Sequence, residues 1–222
     1  SPDLTTNDPE KQKQHESGGL TLDDSTAENH CTIFAISESP KNKNVVWVGT
    51  DDGNVQVTRD GGKTWTNVVA NIQGLPTSTW VSTVEAGRFA EGTAFVTFDG
   101  HMTGDTNTYV YRTTDFGASW TGLTTPDMRG FAHVVKQDLV NSNLLFVGTE
   151  FGLYVSLDGG KAWSQFTAGL PNGAVWDLAI HPRDHDLIIA THGRSLYIVD
   201  DITPLRKLTA AVLDSEVAFL GS

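Results

Sequence analysis

The chain has 222 residues and carries 27 acidic against 15 basic side chains, a formal charge of −12 with histidines neutral. That balance argues against nucleic-acid and anionic-membrane binding, which need clustered Lys and Arg. No apolar run approaches the roughly 20 residues of a membrane span, so no membrane insertion is expected. The single Cys31 cannot form an internal disulfide and leaves the redox compartment open.

Residues 1–29 are polar, with Asp3, Asp8, Asp23 and Asp24, and read as an extended crossing segment. The opening Ser1-Pro2, without Met or signal peptide, reads as that of a processed, recombinant or proteolytic fragment. From residue 30 the chain alternates short apolar strands with turn residues, and no segment has the period of a long amphipathic helix. The first unit, 30–73, is expected to hold strands at 31–37, 45–50, 54–59 and 66–69. In its first strand Cys31, Ile33 and Ala35 share one face, which makes Cys31 a buried, inert thiol. The second unit, 74–126, places strands at 82–89, 93–98, 108–113 and 121–124. The third, 127–170, places them at 132–137, 144–149, 153–156 and 164–167. A fourth, 171–208, has strands at 175–180, 187–191 and 195–199, and 209–222 is a tail.

Three copies of Ser/Thr-x-Asp-x-Gly-x-x-Trp punctuate these units, at Thr58–Trp65, Thr113–Trp120 and Ser156–Trp163. Each follows an alternating stretch, so each is a hairpin between third and fourth strands. Asp60, Asp115 and Asp158 supply acceptors for the turn's N–H groups, and Gly62, Gly117 and Gly160 supply positive φ. Trp65, Trp120 and Trp163 then cover the hairpins and are expected to be buried. The copies are about 55 and about 43 residues apart, the period of four-stranded propeller blades, and the polar loop 98–108 lengthens the second. In the fourth unit Asp200-Asp201-Ile202-Thr203-Pro204 replaces the turn.

This pattern resembles the Asp-box, or bacterial-neuraminidase repeat, of sialidase-like, xyloglucan-degrading, photosystem-assembly and sortilin propellers. The run from Val45 to Leu208, with Trp-Val-Gly-Thr-Asp-Asp-Gly at 47–53, Gly-Thr-Glu-Phe-Gly-Leu at 148–153 and Ala-Thr-His-Gly-Arg at 190–194, looks like the C-terminal propeller part of large secreted bacterial glycosyl-hydrolase-like or sortilin-like proteins. The expectation is therefore an all-β, secreted or periplasmic β-propeller. It has three complete four-stranded antiparallel blades and one incomplete one, as part of a larger propeller. A closed ring of four would need an outer strand from 205–213 or 1–6. An open arc is expected to dimerise or to associate with the remaining blades.

Aligning the blades puts Asp51, Asp99, Glu150 and His192 at the same second-to-third-strand turn, with His101 and Arg194 beside them. Turn chemistry accounts for Asp51-Asp52-Gly53 and Asp99-Gly100, whereas a ligand-facing rim accounts for Glu150 and His192. Inner-strand starts add a second candidate ring: Glu28 with His30, Trp80, Phe131 with His133, and Trp176 with Asp177. Trp80 and Trp176 either stack on a ligand or pack between blades. His181, Asp184, His185 and Asp186 read as a capped turn at the opposite end, so no metal or other cofactor is expected. A sialidase-like mechanism needs three arginines around a carboxylate, but Arg59 and Arg112 fall at the far end and only Arg194 is near. The resulting reading is a non-catalytic module for a glycan, peptide or protein, and no nucleic acid. The alternative is a glycoside hydrolase using a carboxylate pair completed outside these residues.

Overall fold

The computed structural model describes residues 1–13, 15–16 and 29–218. Their strands form four antiparallel sheets, each a meander in chain order. Blade 1 comprises β1 (Ile33–Glu38), β2 (Val46–Thr50), β3 (Val55–Thr58) and β4 (Thr66–Asn67). Blade 2 comprises β5 (Trp80–Ala86), β6 (Ala94–Asp99), β7 (Tyr109–Thr113) and β8 (Thr121–Gly122). Blade 3 holds β9 (Ala132–Gln137), β10 (Leu145–Thr149), β11 (Gly152–Ser156) and β12 (Ser164–Phe166). Blade 4 has three strands, β13 (Val175–Ile180), β14 (Leu187–Thr191) and β15 (Leu196–Val199). The all-β propeller architecture expected from the repeat is the one observed.

The inner blades 2 and 3 are each covered on both faces by neighbours, and their strands are apolar on both sides. Trp47, Val55 and Val57 of blade 1 pack on Val81, Val84, Val96 and Phe98 of blade 2. Phe95, Val110 and Leu123 of blade 2 pack on Val135, Leu145, Val147 and Trp163 of blade 3. Val134, Phe146 and Leu153 of blade 3 pack on Val175, Leu178 and Ile189 of blade 4.

The three Asp turns hold in a common way. Asp60 accepts from Thr64 N and Oγ1, Lys63 N and Thr58 Oγ1; Asp115 accepts from Thr113 Oγ1 and from Ser119 N and Oγ, and Asp158 from Ser156 Oγ, Lys161 N and Ala162 N. These donors, led by the Thr64 hydroxyl, hold the Asp60 carboxyl well below the usual range. Gly117 and Gly160 take φ of +83° and +90°. The tryptophans are not equivalent in burial: Trp163 is buried, with Nε1 donating to Leu123 O of the previous blade at 2.7 Å, whereas Trp65 and Trp120 are half-buried. Trp163 belongs to the core cluster between blades 2 and 3, whereas Trp65 and Trp120 are not among the buried residues of any core cluster.

One strand expectation needs correction, and the incomplete fourth blade is as expected. Cys31 precedes β1 at φ +68° and is only partly buried, because the register slips at Phe34 and Ile33 and Ala35 fall on opposite faces. Neither 205–213 nor 1–6 supplies a fourth strand to blade 4. Asp201 instead caps Thr203, and α1 (Thr203–Lys207) and α2 (Ala210–Leu213) follow. Arg206 on α1 clamps the buried Asp138 of blade 3 through two 2.9 Å bonds. Residues 3–6 lie on blade 1: Leu4 is buried, its carbonyl accepts from Asn54 and Gln56 side chains, and Thr6 donates to Asp52.

Among the described residues none covers the outward faces of blades 1 and 4. Ile36 is 70% exposed, Leu196 67% and Ile198 61%.

Candidate functional site

All four inner strands contain one extra residue at the same register step. The extra residues are Phe34 (between Ile33 and Ala35), Ser82, His133 and Trp176, each opposite the end of the second strand. A bulge of this kind turns a side chain out of the sheet. It therefore aims Phe34, His133 and Trp176 sideways toward the neighbouring blade.

The two candidate rings merge here, since an inner strand's start is antiparallel to a second strand's end; Trp80, for instance, pairs with Asp99. His101 stacks on Phe131 at 4.8 Å, and Phe131 meets His133 edge-on at 5.1 Å. His133 stacks on Trp176 at 4.8 Å, and Trp176 tilts against His192 at 5.1 Å. One continuous ladder thus crosses blades 2, 3 and 4. Two carboxylates flank it: Asp99 contacts His101 Nδ1 at 2.6 Å and lies 4.0 Å from His133 Nδ1, and Glu150 lies 3.2 Å from His133 Nε2. Burial pushes the His133 pKa down despite these carboxylates. Trp176 is 51% exposed and His192 is exposed, which leaves the blade 4 end of the ladder open to a ligand.

Other members of the expected rim sit differently. Asp51 is buried, and its carboxylate accepts from Thr32 N at 2.7 Å and Oγ1 at 2.9 Å with His30 3.7 Å away, so it serves the turn. Arg194 is exposed on the β14–β15 turn. Trp80 meets Phe34 edge-on at 4.8 Å and borders a separate cavity of about 550 Å³ between blades 1 and 2. That cavity is also lined by His30, Asp99, Met102 and Lys11 of the N-terminal segment, whose Nζ donates to Ser78 Oγ. Glu28 lies outside the described residues. At the opposite end Asp184 is held by Arg183 and by its own turn with His181. Among the described residues no group of three His, Cys, Asp or Glu is arranged to hold a metal ion. Phe34 and the role of Ser82 were missed from the sequence, because a bulge leaves no mark on composition or alternation.

No protein-family model and no curated protein matches the chain. Solved structures do, at the level of fold. YCF48 bound to D1 peptide is 21% identical at TM-score 0.55, over 76% of this chain and 52% of that one. A GH74 xyloglucanase from Xanthomonas campestris is 16% identical at TM-score 0.59, over 76% and 29%. The extracellular domain of a putative hybrid two-component system from B. thetaiotaomicron is 12% identical at TM-score 0.56, over 78% and 24%. The chain thus spans about half the length of the first and about a quarter of the other two. Among the described residues no helix is long and apolar enough to cross a membrane.

Proposed function

We propose that this chain is a non-catalytic recognition arc, secreted or periplasmic, that binds a peptide, glycan or partner protein along the ladder face. The observation that carries this is the run His101–Phe131–His133–Trp176–His192, flanked by Asp99 and Glu150 and open at Trp176. Flat ring faces offer contact area at little entropic cost, and carboxylates beside them orient polar or cationic groups. Similarity to a peptide-bound propeller and to an extracellular sensor domain supports a binding role.

The hydrolase alternative rests on the GH74 likeness and on Asp99 with Glu150 as a carboxylate pair. Such a pair needs open space between its members for the glycosidic bond and a water. The His133 ring stands in that space here, within 4.0 Å of one carboxylate and 3.2 Å of the other.

A peptide panel and a glycan array identify the ligand, and titration of the hits against Trp176→Ala and Glu150→Gln tests the site. Loss of a central aromatic anchor typically costs about 2 kcal/mol or more, roughly thirtyfold in affinity. Unchanged affinity in both variants refutes the assignment. Glycoside turnover abolished by Asp99→Asn or Glu150→Gln replaces it with the hydrolase reading.

A further inference from the structure

Each contact between consecutive blades has one point where the later blade's inner strand crosses a single residue of the earlier blade's second strand. Between blades 1 and 2 that residue is Gly49, where a Cβ would lie 2.3 Å from Val81 Cγ1. Between blades 3 and 4 it is Gly148, where a Cβ would lie 2.5 Å from the Val175 carbonyl oxygen and 2.7 Å from its Cγ1. Between blades 2 and 3 the same register holds Thr97, and the facing register, filled by Val81 and Val175 elsewhere, holds Ala132. Ser82 Oγ links these two, to Thr97 Oγ1 at 2.8 Å and to Ala132 O at 2.7 Å. Glycine accepts valine and threonine accepts alanine, so bulk at the crossing is conserved by sharing it.

The two uncovered faces repeat these registers. On blade 4, Ile188, Leu196 and Ile198 stand where Phe146, Leu153 and Val155 of blade 3 are buried by its neighbour. On blade 1, Ile33 and Ile36 stand where Val175 and Leu178 are buried. Leu4 completes the likeness: Ser1-Pro2-Asp3-Leu4 parallels Thr125-Pro126-Asp127-Met128, and Met128 is the linker residue wedged into the blade 2–blade 3 contact. Both faces are therefore blade contacts in chemistry. They do not fit each other. At the crossing blade 4 offers Ala190, paired with Asp177 as Gly148 is with Val134, and blade 1 offers Ile33. A methyl meeting a β-branched side chain overfills the point where Gly148 already has no room for a Cβ.

We propose that this arc docks a second arc of propeller blades whose sequence differs from its own. The partner arc's first inner strand carries alanine or glycine opposite Ala190, and its last blade carries glycine opposite Ile33. Apolar faces of this kind mark interaction surfaces, and the crossing residue selects the partner by exclusion.

Sedimentation velocity on the chain, over the widest concentration range it tolerates, tests the rule. The wild type is expected to stay monomeric. Ile33→Ala and Ala190→Gly each relieve the same clash, so each should allow two copies to close head to tail into a ring of blades, and adding Ile198→Glu to either should return a monomer. Circular dichroism confirms that each variant keeps its β structure. A wild-type closed dimer, two relieved variants that both stay monomeric, or a dimer indifferent to Ile198→Glu each overturns the proposal.

Discussion

Gly49→Ala sets two effects against each other, and the structure decides the sign. Gly49 needs no left-handed φ, so alanine should stabilise the strand by about 0.5–1 kcal/mol through chain entropy. Its Cβ, however, would lie 2.3 Å from Val81 Cγ1, 2.8 Å from Val81 Cβ and 3.1 Å from Val84 Cγ2. Carbons pack best at about 3.5–4.0 Å, so a fully buried valine must retreat by more than an ångström. Overpacking of this size costs about 1–3 kcal/mol, and the upper part of that range applies because Val81 has no solvent to move into. The expected net loss is about 1–2 kcal/mol, roughly 2–6 °C in Tm for a chain of this length. Val81→Ala alone deletes two methyl groups and leaves a cavity, for a loss of about 2 kcal/mol. In the double variant the nearest clash is gone, so the combined loss should fall short of the sum by about 1 kcal/mol or more. Urea unfolding followed by tryptophan fluorescence measures all three. A Gly49→Ala protein as stable as the wild type, or strict additivity, refutes the crossing rule.

Three further outcomes are expected. Arg206→Met leaves Asp138 buried with only the N–H groups of Val140 and Asn141, and should cost about 3 kcal/mol in urea unfolding, most of it recovered by adding Asp138→Asn. Because burial lowers the His133 pKa, the unfolded state binds the proton more tightly; His133's contribution is complete above about pH 6.5 and is lost as pH falls. A Tm profile between pH 7 and pH 5 should therefore flatten in His133→Gln, and an unchanged slope rules that cause out. Asp115→Ala should lower Tm more than the exposed control Asp127→Ala, because Asp115 accepts from Thr113 and Ser119 to close its turn; equal Tm values remove the turn role.

The repeat, the period and the Asp turns were legible because their chemistry is local: a carboxylate and a positive-φ glycine within eight residues satisfy one hairpin's own N–H groups. The placement of Asp99, Glu150 and His192 at one end was legible too, since strand alternation fixes which end a turn occupies. Which of these groups stands free was not. Asp51 and Asp99 stand at the same end of the second strand in successive blades, yet Asp51 is held by Thr32, just before β1, and Asp99 by His101. The ladder was hidden for a related reason: Phe131, His133 and Trp176 meet only because bulges shift the inner strands, and a bulge is a relation between two strands. The uncovered faces were the least legible of all. A strand in a stack is apolar on both sides whether or not a neighbour is present, so Leu196 and Ile198 read like Leu153 and Val155 until packing shows that one pair is buried and the other exposed.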